Sequence, residues 1–282
     1  MNSPFDKHSF KGKVVLITGG TMGIGQGCCE AFCSAGATVV ICARNAERGE
    51  RLAAEMNAGT TGHCTFVACD VTDPDQIKRM IDEVVATHGR LDCLVNNAGW
   101  HPPDLRIDDF SVQDFQQLLQ LNLVSIFAAC KFALPHLRKT KGSIINMASL
   151  VGSIGQANAC TYVATKSGII GLTKALAVDE AEHGVRVNSV SPAAIVTPLA
   201  ESVVNAAPDP KREYAWIESW HHLGRYGTIQ EVGQVCLFLA SEAASFLTGV
   251  DIPVSGGAEL AYGCKFKSMF RPPYEAGGET AR

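Results

Sequence analysis

No C-x-x-C pair occurs among the eleven cysteines of this 282-residue chain, so the common thiol-redox and zinc-ribbon spacings are excluded. The cysteines fall mostly inside apolar runs, where a free thiol packs as a small hydrophobe, and the expectation is a reduced core. Cys28, Cys29 and Cys33 cluster with no histidine at ligand spacing, and His221-His222 lacks a third ligand, so no metal is expected. No excess of positive charge is present either. Twenty-four Lys and Arg against 28 Asp and Glu give a net charge of −4, which leaves no general attraction to nucleic acid or an anionic membrane. The stretch Met1 to Lys13 carries Asp6, Lys7, His8, Lys11 and Lys13 without an apolar run of signal-peptide length, and a cytoplasmic address is expected. No fixed-period repeat or low-complexity tract interrupts the chain.

What remains is an alternation of short apolar runs and helix-like segments. Lys13–Thr18 reads as a strand, then come a glycine turn and a helix near Gln26–Ala35. Further strands are expected at Thr38–Cys42, His63–Cys69, Leu91–Val95, Gly142–Met147 and Val185–Val190. Helices are expected at Asn45–Asn57, Asp73–His88, Val112–Leu137 and Ala159–His183. A β-α-β-α beat calls for parallel strands, because parallel neighbours need long crossovers. The expected fold is α/β: a doubly wound, Rossmann-type parallel sheet with helices on both faces, in a single domain. The expected limits are an N-terminal extension over 1–11, the catalytic domain over 12–265 and a solvated tail over 266–282.

Thr18, Gly19, Thr21, Met22, Gly23, Ile24 and Gly25 lie in T-G-G-T-M-G-I-G between a strand and a helix, where glycines let backbone amides approach a pyrophosphate. The second strand ends in Cys42-Ala43-Arg44-Asn45, with no carboxylate for the ribose hydroxyls of NAD. Arg44 instead offers a planar charged fork to a 2′-phosphate, which makes NADP(H) the preferred cofactor; if Arg44 is only a surface residue, NAD(H) is the alternative. Asp70, followed by Val71, either accepts the adenine amino group or caps the helix starting at Asp73-Pro74. Asn97, Ala98 and Gly99 close the fourth strand with small groups that let the cofactor lie close.

Tyr162 and Lys166 are four apart on one helix face, and Ser149 ends the preceding strand, so the three can converge on one carbonyl. An adjacent ammonium favours a phenolate, so Lys166 is expected to lower the pKa of Tyr162 while Ser149 holds the substrate oxygen. The hydride chemistry belongs to the cofactor.

Taken jointly, the glycine turn, N-N-A-G and the Ser149–Tyr162–Lys166 set resemble the short-chain dehydrogenase/reductase family from about Gly12 to Gly257. The resemblance implies an oxidoreductase moving hydride between NADP(H) and a secondary alcohol or ketone. It implies Asn122 as a fourth catalytic residue, with a helix-kinking, backbone-bound Asn as the alternative. It also implies cofactor contacts from Pro192, Ile195 and Thr197, within a segment where Ala193 replaces the family's glycine at a possible cost of about 1 kcal/mol if positive φ is needed there. A closer likeness, through His101-Pro102-Pro103, Ser149–Gln156 and Gly256–Lys265, is to a branch acting on hydroxysteroids and sugars with NAD. It implies a small-molecule substrate held by His101 and Gln156 with Ser149 and Tyr162, and Tyr262 supplied by a neighbouring subunit of a homotetramer; a homodimer is the smaller option. Each of these three residues also has a plain reading as loop or interface packing. Ala43 and Ala200 depart from that branch, which has an acidic and a bulky aromatic residue there. A noncatalytic dinucleotide-binding scaffold is the reading from another class, and the intact Ser149, Tyr162 and Lys166 argue against it. Glu201–Leu223 reads as an irregular lid, with Trp216 and Trp220 alternatively forming one buried helix face.

Overall fold

The computed structural model describes residues 7–260. Seven parallel strands form one sheet in the order β3-β2-β1-β4-β5-β6-β7: β1 Val14–Thr18, β2 Thr38–Ala43, β3 His63–Ala68, β4 Cys93–Asn96, β5 Ser143–Met147, β6 Arg186–Pro192 and β7 Asp251–Val254. The expected doubly wound architecture is thus observed. Alternate residues of β1 explain the two layers. Val14 and Leu16 join a core with Ile77, Met80, Ile81 and Val84 of α3 (Pro74–His88), with α5 (Ser125–Thr140), and with Ile169 and Ile170 of α7 (Cys160–Asp179). Val15 and Ile17 face the other way, onto α1 (Gly23–Ser34), α2 (Ala46–Gly59) and α10 (Ile229–Ala240). Both faces of every central strand are therefore dry, which is why these strands read as continuous apolar runs.

Three details depart from expectation. Phe10, assigned to the N-terminal extension, is 1% exposed, packs edge-on against Phe32 and donates its amide to Ala35. It belongs to the core. The long helix breaks into α4 (Val112–Leu119), a π-turn over Gln120–Val124, and α5. By length and composition Val112–Thr140 would suffice to cross a membrane, but half of its apolar window is buried inside the protein, as for a core helix. The segment after β6 forms α8 (Pro198–Ala206) and α9 (Pro210–Glu218) rather than irregular chain; Thr197 and Asp209 cap them, each with a proline in the first turn. Trp216 and Trp220 meet edge to face at 6.4 Å but remain 43% and 44% exposed, so they do not form a buried helix face.

Candidate active site

Parallel sheets bind ligands beyond the carboxyl ends of their strands, where the winding reverses; here that point lies between β1 and β4. The two strand ends are laced together. Thr18 Oγ1 accepts from the amides of Asn97 (3.0 Å) and Ala98 (3.1 Å), and Asn97 Nδ2 donates to the carbonyls of Thr18 and Gly19 at 3.0 Å each. Both side chains, expected as cofactor contacts, are engaged in shaping the turn. Within it, a Cβ on Gly25 would stand 2.2 Å from the Gly19 carbonyl oxygen, and Gly19 and Gly23 have φ of +64° and +56°. A side chain is excluded at Gly25 and at Gly19, where a Cβ would stand 2.9 Å from the Ala98 Cα, and the positive φ favours glycine at Gly23. Thr21 is buried, whereas Met22, at the N-cap of α1, is 38% exposed and gives the helix no side-chain acceptor. The first amides of α1 are left for an anion, beside half-buried Ile24. This cradle fits a dinucleotide pyrophosphate.

Further along the edge, Arg44 is exposed and takes no hydrogen bond or ion pair among the described residues. Arg48, one helical turn on, points its Nη1 at Met22 Sδ, 2.9 Å away, and so lies over the glycine turn. The i, i+4 spacing of the two arginines was the available sequence signal for it. Asp70 does not cap α3. Asp73 does, accepting from Asp75 and Gln76, while Asp70 Oδ1 takes the amide (2.9 Å) and hydroxyl (2.8 Å) of Thr72 beside buried Val71. Asp73 wins because it directly precedes the helix, where its carboxylate reaches the N2 and N3 amides.

Ser149, two residues before the short helix α6 (Val151–Ile154), converges with Tyr162 and Lys166 of α7. The Ser149 hydroxyl lies close enough to the Tyr162 phenol to favour its ionised form, and Lys166 Nζ lies 5.6 Å from the Tyr162 ring centre while donating to the Met147 carbonyl at 2.8 Å. Burial dominates the titration. It pushes the Tyr162 phenol up to about 12, against the opposing Ser149 hydrogen bond, and pulls the Lys166 ammonium down to about 8. The expected lowering of Tyr162 by Lys166 is not observed: desolvation of the phenolate raises the pKa, and the opposing influence comes from Ser149. Asn122, 0% exposed in the π-turn, is bound on every side: Oδ1 accepts from the Trp100 amide at 2.9 Å, and Nδ2 donates to the Trp100 carbonyl (2.9 Å) and Thr165 Oγ1 (3.2 Å). Its side chain fixes the chain leaving N-N-A-G, where Gly99 passes so close that a Cβ would stand 3.2 Å from Asn122 Oδ1.

His101 and Gln156 also meet at Tyr162. The His101 ring lies 4.1 Å from the Tyr162 ring, centre to centre, with Nδ1 2.6 Å from the Pro102 carbonyl and Nε2 3.3 Å from Gln156 Oε1; Gln156 Nε2 donates to Asp104 Oδ1 at 3.2 Å. Asp104 was not anticipated, and nothing local in the sequence marks it. Across the cleft, Pro192 is buried at the end of β6, Ile195 bridges to Gly227, and Thr197 Oγ1 caps α8 by accepting from the Ala200 amide at 3.2 Å. A Cβ on Gly23 would lie 3.5 Å from Thr197 Cγ2, so this segment returns to the glycine turn. Ala193 is not among the residues with positive φ and donates to Val254 at 3.1 Å; its Cβ causes no strain. Ala200 packs beside Val204, Ile217 and Tyr226. His221 is buried with Nδ1 near the Ile217 carbonyl, and His222 Nε2 faces the Leu260 carbonyl. Tyr262 lies outside the described residues.

A glycine cradle at the sheet's switch point, leading to a largely buried Ser-Tyr-Lys cluster, is the arrangement of an oxidoreductase of the short-chain class. A family profile described as enoyl-(acyl carrier protein) reductase matches residues 19–259. The chain belongs to the short-chain dehydrogenase/reductase family, whose members use NAD(H) or NADP(H). It is 48% identical to L-fucose dehydrogenase of Bos taurus over 256 residues, covering 91% of this chain and 93% of that one. It is 39% identical to the 3-oxoacyl-[acyl-carrier-protein] reductase of Thermotoga maritima, over 88% of this chain and 98% of that one. The crystal structure of Cj0485 dehydrogenase superposes with a TM-score of 0.83 at 33% identity, covering 89% and 96% of the two chains.

Proposed function

We propose that this protein moves a hydride between NADP(H) and a secondary alcohol or its ketone, with Ser149, Tyr162, Lys166 and Asn122 as the catalytic set. The convergence of Ser149 and Lys166 on Tyr162 carries the reading. When bound, the nicotinamide gives or takes the hydride. Ser149 holds the substrate oxygen, and Tyr162 passes a proton between its Oη and that oxygen. Lys166, fixed by the Met147 carbonyl, keeps a positive charge beside the phenol as charge develops on it. Asn122 positions the Trp100–His101 chain over Tyr162. His101 and Gln156 orient the substrate, with Tyr262 joining from a second copy of the chain in a homo-oligomer, a tetramer or a dimer.

The preference for NADP(H) rests on exposed Arg44, unpaired among the described residues, and on the absence of a carboxylate in Cys42–Asn45. A second reading, oxidation of a sugar such as L-fucose with NAD, is favoured by the 46–48% identity to mammalian L-fucose dehydrogenases. A cytoplasmic address is part of the proposal; fractionation of the source cells tests it. Titration with NADPH and NADH, followed by nicotinamide fluorescence, separates the two cofactor readings. NADPH is expected to bind at least about tenfold tighter, Arg44→Ala to erase the difference, and Ala43→Asp to reverse it. Equal or tighter NADH binding by the unaltered protein would turn the assignment to the NAD-linked sugar dehydrogenase.

A further inference from the structure

Away from the cofactor cleft, three thiols converge. Cys29 and Cys33 stand one turn apart on α1, and Cys64 enters from β3. Cys29 Sγ lies 3.6 Å from Cys64 Sγ and 3.9 Å from Cys33 Sγ, and all three sulfurs fall within 4.8 Å of one another. Gly62 permits the approach: a Cβ there would stand 2.6 Å from the Cys33 carbonyl oxygen and 2.9 Å from its Cα. The three cysteines are 0–1% exposed, in a layer shared with Phe32, Ala37 and Leu52. The sequence hid this cluster, because Cys29 and Cys33 showed no third ligand nearby and Cys64 is 35 residues beyond Cys29.

The donor set selects its ligand by charge and number. Among the described residues no other His, Cys, Asp or Glu joins the three. Zinc in a closed site takes four ligands, and a monovalent or divalent ion on three thiolates would leave net negative charge in an apolar layer. A trivalent, thiophilic centre with three pyramidal bonds needs no fourth donor and leaves the site neutral. We propose that Cys29, Cys33 and Cys64 form a trithiol site for a trivalent three-coordinate metalloid, of which arsenous acid is the simplest source. Three As–O bonds break and three As–S bonds form; the three thiol protons leave with the three hydroxides as water. Arsenic stays in the +3 state and nothing is oxidised. A surface hollow of about 530 Å³ is lined in part by Ala31 and Ser34 of the same helix and by Gly36 and Thr61. The bound centre would tie α1 to β3.

Arsenite alone is titrated into the full reduced chain. Native mass spectrometry is expected to show one adduct of arsenic less three hydrogens, and arsenic-edge absorption a shell of three sulfurs without oxygen. Cys29→Ala, Cys33→Ala and Cys64→Ala are each expected to weaken binding by about 100-fold or more, while Cys93→Ala leaves it unchanged. The shell measured on the unaltered protein decides the matter even where a variant fails to fold. No adduct, a mixed sulfur–oxygen shell, or displacement of arsenite by an equal concentration of Zn²⁺ would overturn the proposal.

Discussion

The Lys166 ammonium is held against the ordinary preference of a core for neutral groups, and both it and Tyr162 leave a mark on stability. Burial lowers Lys166 from 10.5 to about 8, so between those values the unfolded chain binds a proton that the folded chain has released. Stability therefore rises with pH across this window, and below pH 8 the buried ammonium costs on the order of 3 kcal/mol. Tyr162 has the opposite sign: its folded value is raised from 10.0 to about 12, so stability falls as pH passes through that higher window. Urea unfolding of the unaltered protein should gain roughly 2–3 kcal/mol between pH 8 and 10 relative to Lys166→Met, whose uncharged side chain keeps the volume. Parallel pH profiles for the two would remove the claim that Lys166 is held against its solvation. Tyr162→Phe is a test of chemistry rather than stability. It deletes only the hydroxyl, and kcat is expected to fall by about 10²–10⁴-fold with cofactor affinity and melting temperature unchanged. A variant retaining more than a tenth of the activity would remove Tyr162 from the proton path.

The π-turn at Gln120–Val124 carries information that no single residue does. It lies between α4 and α5 and holds Asn122, whose amide satisfies both the N–H and the C=O of Trp100. Asn122→Ala would orphan both groups and loosen the segment that sets His101 on the Tyr162 ring. Steady-state kinetics should then show kcat/KM down by about 10–100-fold with NADPH affinity within threefold of the original; an unaffected kcat/KM would make the contact purely structural. Asn122→Asp keeps the acceptor for the Trp100 amide and should recover part of the loss. This element also marks where sequence reading stops. Five of the six strands from Val14 to Pro192 were legible because they are buried on both faces and read as apolar runs, and the partly buried β3 was legible from its β-rich run. The π-turn was legible only through the alternative in which Asn122 kinks the helix and bonds backbone; its residues continue the helical pattern of their neighbours, and the Trp100 partner is 22 residues away. β7 escaped notice as a four-residue edge strand containing Pro253. Ser149, Tyr162 and Lys166 were readable from spacing, but Asp104 and the Cys64 thiol reach their partners only through tertiary structure.

At the scale of the whole molecule, two helices are more apolar than one chain can cover. The inner face of α5 packs Ile126, Ala129, Ala133 and Leu137 into the core, yet Phe127 of the same helix is 53% exposed and Val124, the last residue of the preceding π-turn, 38%. On α7, Thr165, Ile169, Thr173 and Ala177 face inward, while Ala164, Gly171, Ala175 and Val178 are exposed at helical spacing on the other side. Nothing stands within 4 Å of a Cβ built on Gly171. A helix apolar all round is ordinarily buried all round, and the small residues on α7 let another helix approach closely. The partner best matched to both stripes is a second copy of the same chain, because a two-fold axis brings each stripe onto its own image. That assembly would also meet the requirement of the proposed site for a residue from a neighbouring subunit. Light scattering on the eluting protein should give a dimer or tetramer, and Phe127→Glu with Ala175→Glu should shift it toward monomer by placing like charges across the axis. Activity should fall with the loss of assembly and recover in part at high protein concentration. A monomeric unaltered protein, fully active at nanomolar concentration, would mean that these stripes serve another partner and that one chain holds the complete site.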